Sequence, residues 1–297
     1  MAFKYVNPGY AALLDCNGIT VNDTTINETN GVAFSYTGDE ASVVFNNTLT
    51  DIWIGVSMNR GYLSGRISVN GNNKYSSKFC GLEFTDIGFD VYLAGKKTSI
   101  QNDDFTHRKM RIVLHARSDV NDGIIEIFYK GDRVAFARGN VNGGSPFKGV
   151  WLYSGNQKNY FFNVIIADYD ISHEEVITAT LTEPKGTWEG IETDQIKATD
   201  VGQILTQQIN MDDLKTKIDK LGANITITGV SLCARNVLFD SNKINALTGI
   251  VNNGKEDVYS ETKMFSTTGT VSGISYVKNM TLNEIQTAKF SLKSAKV

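Results

Sequence analysis

The fold class of this chain can be predicted from residues 108–136, which read RKMRIVLHARSDVNDGIIEIFYKGDRVAF. From Met110 to Arg117 apolar residues alternate with polar ones, and a period of two is typical of a β-strand with one solvent-facing side. Turn residues follow at Asn121-Asp122-Gly123 and again at Gly131-Asp132. The stretch therefore predicts three short antiparallel strands joined in sequence.

The alternation also predicts which side of the sheet each residue faces. The predicted core residues of this stretch are Ile112, Leu114, Ile125, Ile127 and Phe136. His115 alternates with Leu114, so we expect it on the solvent-facing side of the same strand.

Similar short runs, separated by Gly and Asn, fill the first part of the chain. The chain has 27 glycines but only three prolines, which favours many tight turns. Regular strand spacing with turn signals indicates a β-sandwich or barrel. We therefore predict a mainly β protein, with an antiparallel sandwich of the jelly-roll type over residues 1–172.

The remainder of the chain is predicted to hold a linker and a second domain. Residues 173–198 are acidic and Thr-rich and contain Pro184 and Gly186, which favours a linker. Residues 199–297 are predicted as a smaller C-terminal β domain with one short helix at 211–221. Asn210 can cap this helix and Gly222 can end it. A final strand is predicted at 285–292.

Composition and charge limit the class of partner. The net charge of -3 argues against nucleic acid, because a binder of polyphosphate needs a basic surface or stripe. The N-terminus lacks the pattern of a signal peptide, and no segment is long and apolar enough for membrane insertion. Three scattered cysteines are typical of a reducing compartment. We expect a protein made in the cytoplasm that binds neither nucleic acid nor membrane.

Paired carboxylates are the catalytic arrangement that sandwich-fold glycosidases use. The nearest candidates are Glu83, Asp86 and Asp90, but Glu83 and Asp86 would point to opposite sides of a single strand. The three histidines are not accompanied by a Gly-x-Ser-x-Gly elbow. We therefore predict no catalytic residue, no cofactor and no enzymatic activity. A carbohydrate-active lyase or glycosidase on the same scaffold is the alternative.

The richest candidate for ligand binding is the stretch 149–160, GVWLYSGNQKNY. Trp151 and Tyr153 lie two apart on one predicted strand and so share a side. Large aromatic residues are mostly buried, which favours packing inside the sandwich. The alternative is an exposed site in which they stack on a sugar ring beside Asn156, Gln157 and Tyr160.

A metal site is a second candidate in the same half of the chain. Asp119, Asn121 and Asp122 lie close together in sequence and carry the hard oxygen ligands that calcium prefers. Asn and Asp also favour turns because their side chains bond nearby backbone amides. A turn without metal is therefore the favoured interpretation.

Residues 107–136, with FFNVIIADYDIS at 161–172, resemble the second half of a laminin-G or concanavalin A-like sandwich domain. The similar features are the strand around Ile112, the Asp122-Gly123 turn with the alternation after it, the turn at Gly131, and a late strand that ends near Asp168. The resemblance covers residues 1–172 and implies the sandwich fold. It assigns neither calcium nor glycan positions.

The whole chain also resembles virion proteins of tailed bacteriophages, which are often signal-free, rich in Asn, Thr and Gly, and poor in Pro and Cys. This resemblance implies a structural or adhesive subunit of a phage-like particle, in a tail, fibre or head-decorating position. The expected partners are other virion proteins, copies of the same chain and a host-surface glycan.

Overall fold

The computed structural model divides the chain into two compact units, Met1–Val176 and Ile177–Val297. Strands predominate in both, and the described strand pairs are antiparallel, which confirms the mainly β class. The structure describes residues 4–7, 25–26, 29–30, 32–33, 40–60, 65–72, 76–85, 88–101, 109–153, 159–177, 179–191, 196–220, 225–234, 240, 242–264 and 271–297.

Two sheets make up the first unit. Sheet 1 consists of β1 (Lys4–Asn7), β4 (Val32–Ala33), β6 (Asp51–Arg60), β11 (Lys109–Arg117), β12 (Asp119–Tyr129), β13 (Asp132–Val141) and β15 (Asn159–Ala167). These strands lie in the order β1-β15-β6-β11-β12-β13, with β4 beside β15. Sheet 2 consists of β5 (Glu40–Leu49), β7 (Arg66–Ser68), β8 (Gly81–Thr85), β9 (Gly88–Leu93), β10 (Lys96–Gln101) and β14 (Phe147–Tyr153). These strands lie in the order β10-β9-β8-β7-β14-β5. A small pair, β2 (Thr25–Ile26) and β3 (Thr29–Asn30), and a 3₁₀ turn at Asn142–Gly144 complete the described elements.

One hydrophobic core lies between the two sheets. In sheet 1, Leu114 of β11 pairs with Ile54 of β6 and Ile127 of β12, and all three side chains are fully buried. Sheet 2 contributes residues such as Leu82 and Phe84 to the same cluster. Because inward side chains of both sheets share a single core, the unit is a β-sandwich, as predicted.

Four of the five predicted core residues are confirmed, and Phe136 is not. Ile112, Leu114, Ile125 and Ile127 are fully buried, whereas Phe136 is 49% exposed. A two-residue turn at Lys130-Gly131 would pair Phe136 with the buried Ile125 if the ladder were regular. A β-bulge between Ile127 and Phe128 shifts the register by one, so that Phe136 pairs with Glu126 instead. A one-residue shift moves a side chain to the other face of the sheet.

Part of the outer face of sheet 1 is covered by the chain that follows β15. Ile171 packs there on Val113 and Ile165, and Arg111 lies beneath this segment. The Arg111 guanidinium donates from Nε to the carbonyl oxygen of Glu174 (2.9 Å) and from Nη1 to that of Asn163 (3.0 Å). Burial lowers the pKa of Arg111 to about 10.

The second unit is built on a five-stranded sheet and two helices. Sheet 3 consists of β16 (Lys185–Gly186), β17 (Ile204–Gln207), β19 (Ala246–Asn252), β20 (Asp257–Met264) and β22 (Lys289–Ala295). These strands lie in the order β16-β17-β22-β19-β20. A separate pair joins β18 (Ile227–Ala234) to β21 (Val271–Met280), and the helices are α1 (Met211–Asp219) and α2 (Leu282–Thr287). None of the helices in the described part of the chain is long and apolar enough to cross a membrane.

The predicted helix is present as α1, which ends at Asp219, and it packs its apolar side inward; residues 221 and 222 of the prediction lie outside the described residues. The side chain of Asn210 caps it by accepting hydrogen bonds from the amides of Asp212 and Asp213. Leu214 and Ile218 are buried in a cluster with Phe290 of β22. The helix therefore stabilises the second unit through its own core.

The prediction of a strand over 285–292 is wrong in its first half, because those residues belong to α2. Thr281 and Glu284 form a capping box: the Thr281 hydroxyl accepts from the Glu284 amide, and the Glu284 carboxylate accepts from the Thr281 amide at 2.7 Å. This reciprocal cap starts a helix, so β22 begins only at Lys289. The second unit accordingly has two described helices and not one.

The predicted linker at 173–198 lies across the division between the two units. Its described residues after Val176 make strand pairs within the second unit: Gly186 pairs with Leu205, Leu181 with Ile209, and Glu189 with Lys197. Backbone pairing and the packing of Ile177 in the second core join these described residues to the second unit.

Candidate functional site

The outer face of sheet 2 carries a group of polar and aromatic side chains that we name the polar face. Alternation along β7, β8, β9 and β14 sends apolar residues such as Ile67, Leu82, Val91 and Leu152 into the core, and their neighbours outward. The polar face comprises Arg66, Ser68, Glu83, Asp90, Tyr92, Lys97, Trp151 and Tyr153.

Strand register arranges this face in two cross-strand rows. One row consists of Tyr153, Arg66, Glu83 and Asp90, and each of these residues pairs directly with the next across neighbouring strands. The other row runs Trp151, Ser68, Gly81, Tyr92, Lys97. Directly opposite residues have Cβ atoms roughly 5 Å apart, so Glu83 and Asp90 form a pair of neighbouring carboxylates.

The carboxylates are buried even though they face away from the core. Glu83 is 7% exposed and Asp90 is 4% exposed. Burying a charge is costly unless it is paired, and each has a donor: the Tyr92 hydroxyl donates to Glu83 Oε2 at 3.1 Å, and Lys97 forms an ion pair with Asp90. Burial, followed by the charge of Glu83, raises the pKa of the Tyr92 hydroxyl, which keeps this donor protonated.

Arg66 differs from its neighbours on the polar face. Its guanidinium lies over the ring of Tyr153, with Cζ 5.4 Å from the ring centroid. Its Nε is buried and has no hydrogen-bond partner among the residues that the structure describes. Among the described residues, the acidic side chains of the face thus have donors, while Nε of Arg66 has no acceptor.

A tight turn approaches Trp151 and Tyr153 at one side of the face. Gly71 has a φ of 71°, and a Cβ there would lie 3.1 Å from the indole ring of Trp151. The Tyr153 hydroxyl donates to the carbonyl oxygen of Gly71 at 3.5 Å. Glycine at this position lets the backbone approach the aromatic pair closely.

The structure modifies the favoured interpretation of Trp151 and Tyr153. Tyr153 is buried, but against Arg66 on the outer face, while Val150 and Leu152 supply the core. Trp151 is partly exposed beside it. Asn156 and Gln157 lie outside the described residues, as does the side chain of Tyr160, so their role in binding stays a prediction.

The three residues of the candidate metal site make local contacts. Asp119 Oδ1 accepts from the amides of Asn121 and Asp122, both at 2.8 Å, and these hydrogen bonds lower the pKa of Asp119. The Asp122 carboxylate pairs with Arg138 at 2.9 Å. Within the described part of the chain no group of three or more His, Cys, Asp or Glu side chains could hold a metal ion.

The pairing of Glu83 with Asp90 is not visible in the alternation along one strand, because the two residues lie on different strands. Residues 83 and 90 are equally far from the centre of the β8–β9 hairpin, in which Thr85 pairs with Gly88 and Phe84 with Phe89. This register places the two carboxylates opposite each other on one face of the sheet. The register between these two strands is the signal that would have found them.

A second charged group lies on the opposite side of the sandwich, on sheet 1. His115 lies on the outer side of its strand, as the alternation predicts, but it is 7% exposed, so the expected exposure to solvent is wrong. Its Nδ1 lies 2.7 Å from Glu126 Oε2 and its Nε2 lies 2.9 Å from Asp51 Oδ1. Glu126 Oε1 also accepts from Arg133 at 2.7 Å. We name these four residues the ion chain.

The ion chain explains the protonation state of His115. The ring stacks on Trp53, with centroids 4.0 Å apart and planes 9° apart, which buries it. Burial lowers the pKa of His115, but the hydrogen bonds and charges of Asp51 and Glu126 outweigh it and raise the pKa above its ordinary value. Both ring nitrogens face carboxylates, and only the imidazolium can donate from both.

No protein-family model and no curated protein matches the chain. Several solved structures are similar at low identity. They include a sialidase (10% identity, TM-score 0.37, 48% of this chain and 16% of the other), the alginate lyase Aly36B (8%, 0.37, 57% and 96%) and peanut lectin with a 9-mer peptide (8%, 0.34, 60% and 100%). The structures that resemble this chain include jelly-roll sandwiches of the legume-lectin kind.

The prediction that the chain is not an enzyme is wrong. It depended on the absence of paired carboxylates, and the structure places Glu83 directly opposite Asp90. The similar structures include a sialidase and an alginate lyase.

Proposed function

We propose that the protein binds a glycan on the polar face of its sandwich unit. The observation that carries this proposal is the row Tyr153, Arg66, Glu83, Asp90, which places charged groups on the outer face of a sheet and largely out of water. Charged groups are rarely buried without a role in pairing or in a site.

The chemistry of the face suits a sugar. A partly exposed Trp151 offers a flat apolar surface to the C–H face of a pyranose ring. Carboxylates and a guanidinium bind hydroxyl groups with well-defined direction. A site that combines an aromatic surface with a few convergent polar groups is typical of small-ligand recognition.

Titration of the purified protein against a panel of oligosaccharides tests the proposal, with binding measured by calorimetry. We expect Trp151→Ala to weaken binding at least tenfold, while Phe136→Ala leaves it unchanged. Phe136 is a matched control because it is an aromatic residue on the outer face of the other sheet. Loss of affinity in both variants, or in neither, would contradict the assignment of this face.

A second candidate function, glycan cleavage at the same face, is favoured by the Glu83–Asp90 pair. Glycosidases use two neighbouring carboxyl groups, one as acid and one as base or nucleophile. Release of new reducing ends from a bound oligosaccharide, abolished in Glu83→Gln and Asp90→Asn, would support cleavage. Binding without product over long incubation would leave recognition as the function.

In its biological setting we propose a structural or adhesive subunit of a phage-like particle, in a tail, fibre or head-decorating position. Its partners would be other virion proteins, copies of itself and a host-surface glycan. The Thr and Ser side chains of sheet 3, such as the hydrogen-bonded pair Thr248 and Thr262 (2.7 Å), offer polar surface for contacts repeated by symmetry. A chain that stays monomeric at high concentration would argue against assembly.

A further inference from the structure

On the polar face the described acidic acceptors have donors, but one donor has no described acceptor. Among the acceptors, Glu83 receives the Tyr92 hydroxyl and Asp90 receives the Lys97 ammonium. The lysine cation is therefore already used within the face. Arg66 is the cation whose buried donor, Nε, has no acceptor in the part of the chain that the structure describes.

An unmatched buried donor on a charged group is unfavourable. Leaving a buried donor without a partner costs about 1–3 kcal/mol, and more when the group is charged. Each such group in a folded protein calls for an explanation, and a missing ligand is one. The packing of the guanidinium over Tyr153 satisfies its flat face but not its N–H edge.

We infer that the glycan bound at the polar face is acidic, and that its carboxylate is held by the N–H edge of Arg66. This inference rests on the proposed function of the face. A carboxylate presents two oxygens to two parallel N–H groups of a guanidinium, which is the strongest and most directional pairing open to arginine. A neutral hydroxyl would supply only one weaker acceptor.

The position of Arg66 suits this role. It lies in the row between Tyr153 and Glu83, one strand from Trp151, so one sugar can reach both the indole and the guanidinium. The side chain is partly exposed, and the described contact that holds its guanidinium is the ring of Tyr153. Pairing of its N–H edge with a ligand would therefore cost no described hydrogen bond.

The test uses two probes that differ in one group: a tetrasaccharide of uronic acids, and the same tetrasaccharide with its carboxylates reduced to primary alcohols. Affinities are measured by calorimetry on the full chain at low and moderate ionic strength. We expect the acidic probe to bind at least tenfold more tightly than the neutral one. The difference should shrink as salt increases, because exposed parts of the pair are screened.

Variants of Arg66 complete the test. Arg66→Lys keeps the charge but loses the planar fork, and Arg66→Gln loses both; we expect each to remove most of the tenfold preference. Arg138→Gln, an exposed arginine on sheet 1, should leave it intact. Thermal unfolding of each variant shows that the fold is kept.

The outcomes separate the inference from the proposed function. Equal or tighter binding of the neutral probe, still lost in Trp151→Ala, overturns the acidic ligand and leaves glycan binding in place. Acidic preference that survives in both Arg66 variants overturns the role of Arg66. Binding of neither probe at this face contradicts both the inference and the proposed function.

Discussion

The two outer faces of the sandwich hold buried charge in different ways. On sheet 1 the ion chain is closed, since His115 lies between the carboxylates of Asp51 and Glu126, and Arg133 takes the remaining oxygen of Glu126. On sheet 2 the carboxylates of the polar face have donors, but Nε of Arg66 has no described acceptor. The members of the ion chain satisfy one another, whereas the polar face keeps one buried donor without a described acceptor.

Arg111 on sheet 1 shows that an unmatched nitrogen alone does not define a site. Its Nη2 also lacks a partner among the described residues, yet its Nε and Nη1 donate to two carbonyl groups under the segment after β15. A Cβ at Gly55 would lie 2.5 Å from Nη2, so this nitrogen packs against the strand. Two backbone carbonyl groups hold Arg111, whereas the contact described for the Arg66 guanidinium is with the ring of Tyr153.

The largest expected effect is the loss of His115. His115→Ala leaves Glu126 without one partner in a poorly solvated position and removes the stack on Trp53, so the free energy of unfolding should fall by about 3 kcal/mol. Urea denaturation measures it. His173→Ala, an exposed histidine in the same unit, is the control and should change the midpoint little. Equal losses of stability in the two variants would show that the ion chain stabilises the fold no more than an exposed histidine does.

Matched carboxylate variants sharpen the contrast between the faces. Glu126 and Glu83 are similarly buried, at 9% and 7% exposed. Glu126→Gln weakens two charge-assisted hydrogen bonds and should cost about 2 kcal/mol of stability without affecting glycan affinity. Glu83→Gln keeps an acceptor for Tyr92, so it should cost about 1 kcal/mol or less of stability while reducing the affinity for the carboxylate-reduced probe about tenfold, since a carboxylate accepts from sugar hydroxyls more strongly than an amide does. The reverse pattern would exchange the roles that we assign to the faces.

Alkaline pH should remove the stability that the charged His115 gives to the fold through the ion chain. The folded state raises the pKa of His115, so the protonated ring stabilises the fold fully below its unfolded pKa of about 6.5, and this stabilisation is lost as pH rises through the folded value. Urea midpoints measured from pH 6 to 9 should decline for the wild type. His115→Gln should remove that part of the decline, and an identical slope in both proteins would contradict the raised pKa.

The smallest expected effect tests the register that separates the faces. Phe136 lies outside the core, with the Arg133 guanidinium 5.2 Å from its ring centroid, so Phe136→Ala should change stability by about 0.5 kcal/mol or less. A loss of several kcal/mol, as for a buried phenylalanine, would mean that the bulge is absent and that Phe136 faces the core.

Local patterns in the sequence predict the sandwich core but not its faces. Alternation suffices for Ile112 and Leu114, because burial on one side of a strand repeats every two residues. It fails at Phe136, where a bulge adds one residue and reverses the side. The helix α2 was missed because the Thr281–Glu284 capping box outweighs the apolar spacing after it.

The candidate site was harder to predict, because its members come from different strands. Glu83 and Asp90 meet only through the hairpin register, and Arg66 joins them from a third strand. His115 follows the polar side of the alternation as expected, but its burial depends on Trp53 and Glu126 from neighbouring strands. Trp151 and Tyr153 were identified because two aromatic residues on one side of a strand are visible in sequence.

Mapping a bound acidic oligosaccharide by amide chemical shifts tests the central claim most directly, namely that the outer face of sheet 2 is the ligand-binding face. We predict perturbations concentrated in β7, β8, β9 and β14, around Arg66 and Trp151, with β11, β12 and β13 unchanged. Perturbations centred on the ion chain of sheet 1, or none in the sandwich at saturating oligosaccharide, would contradict it.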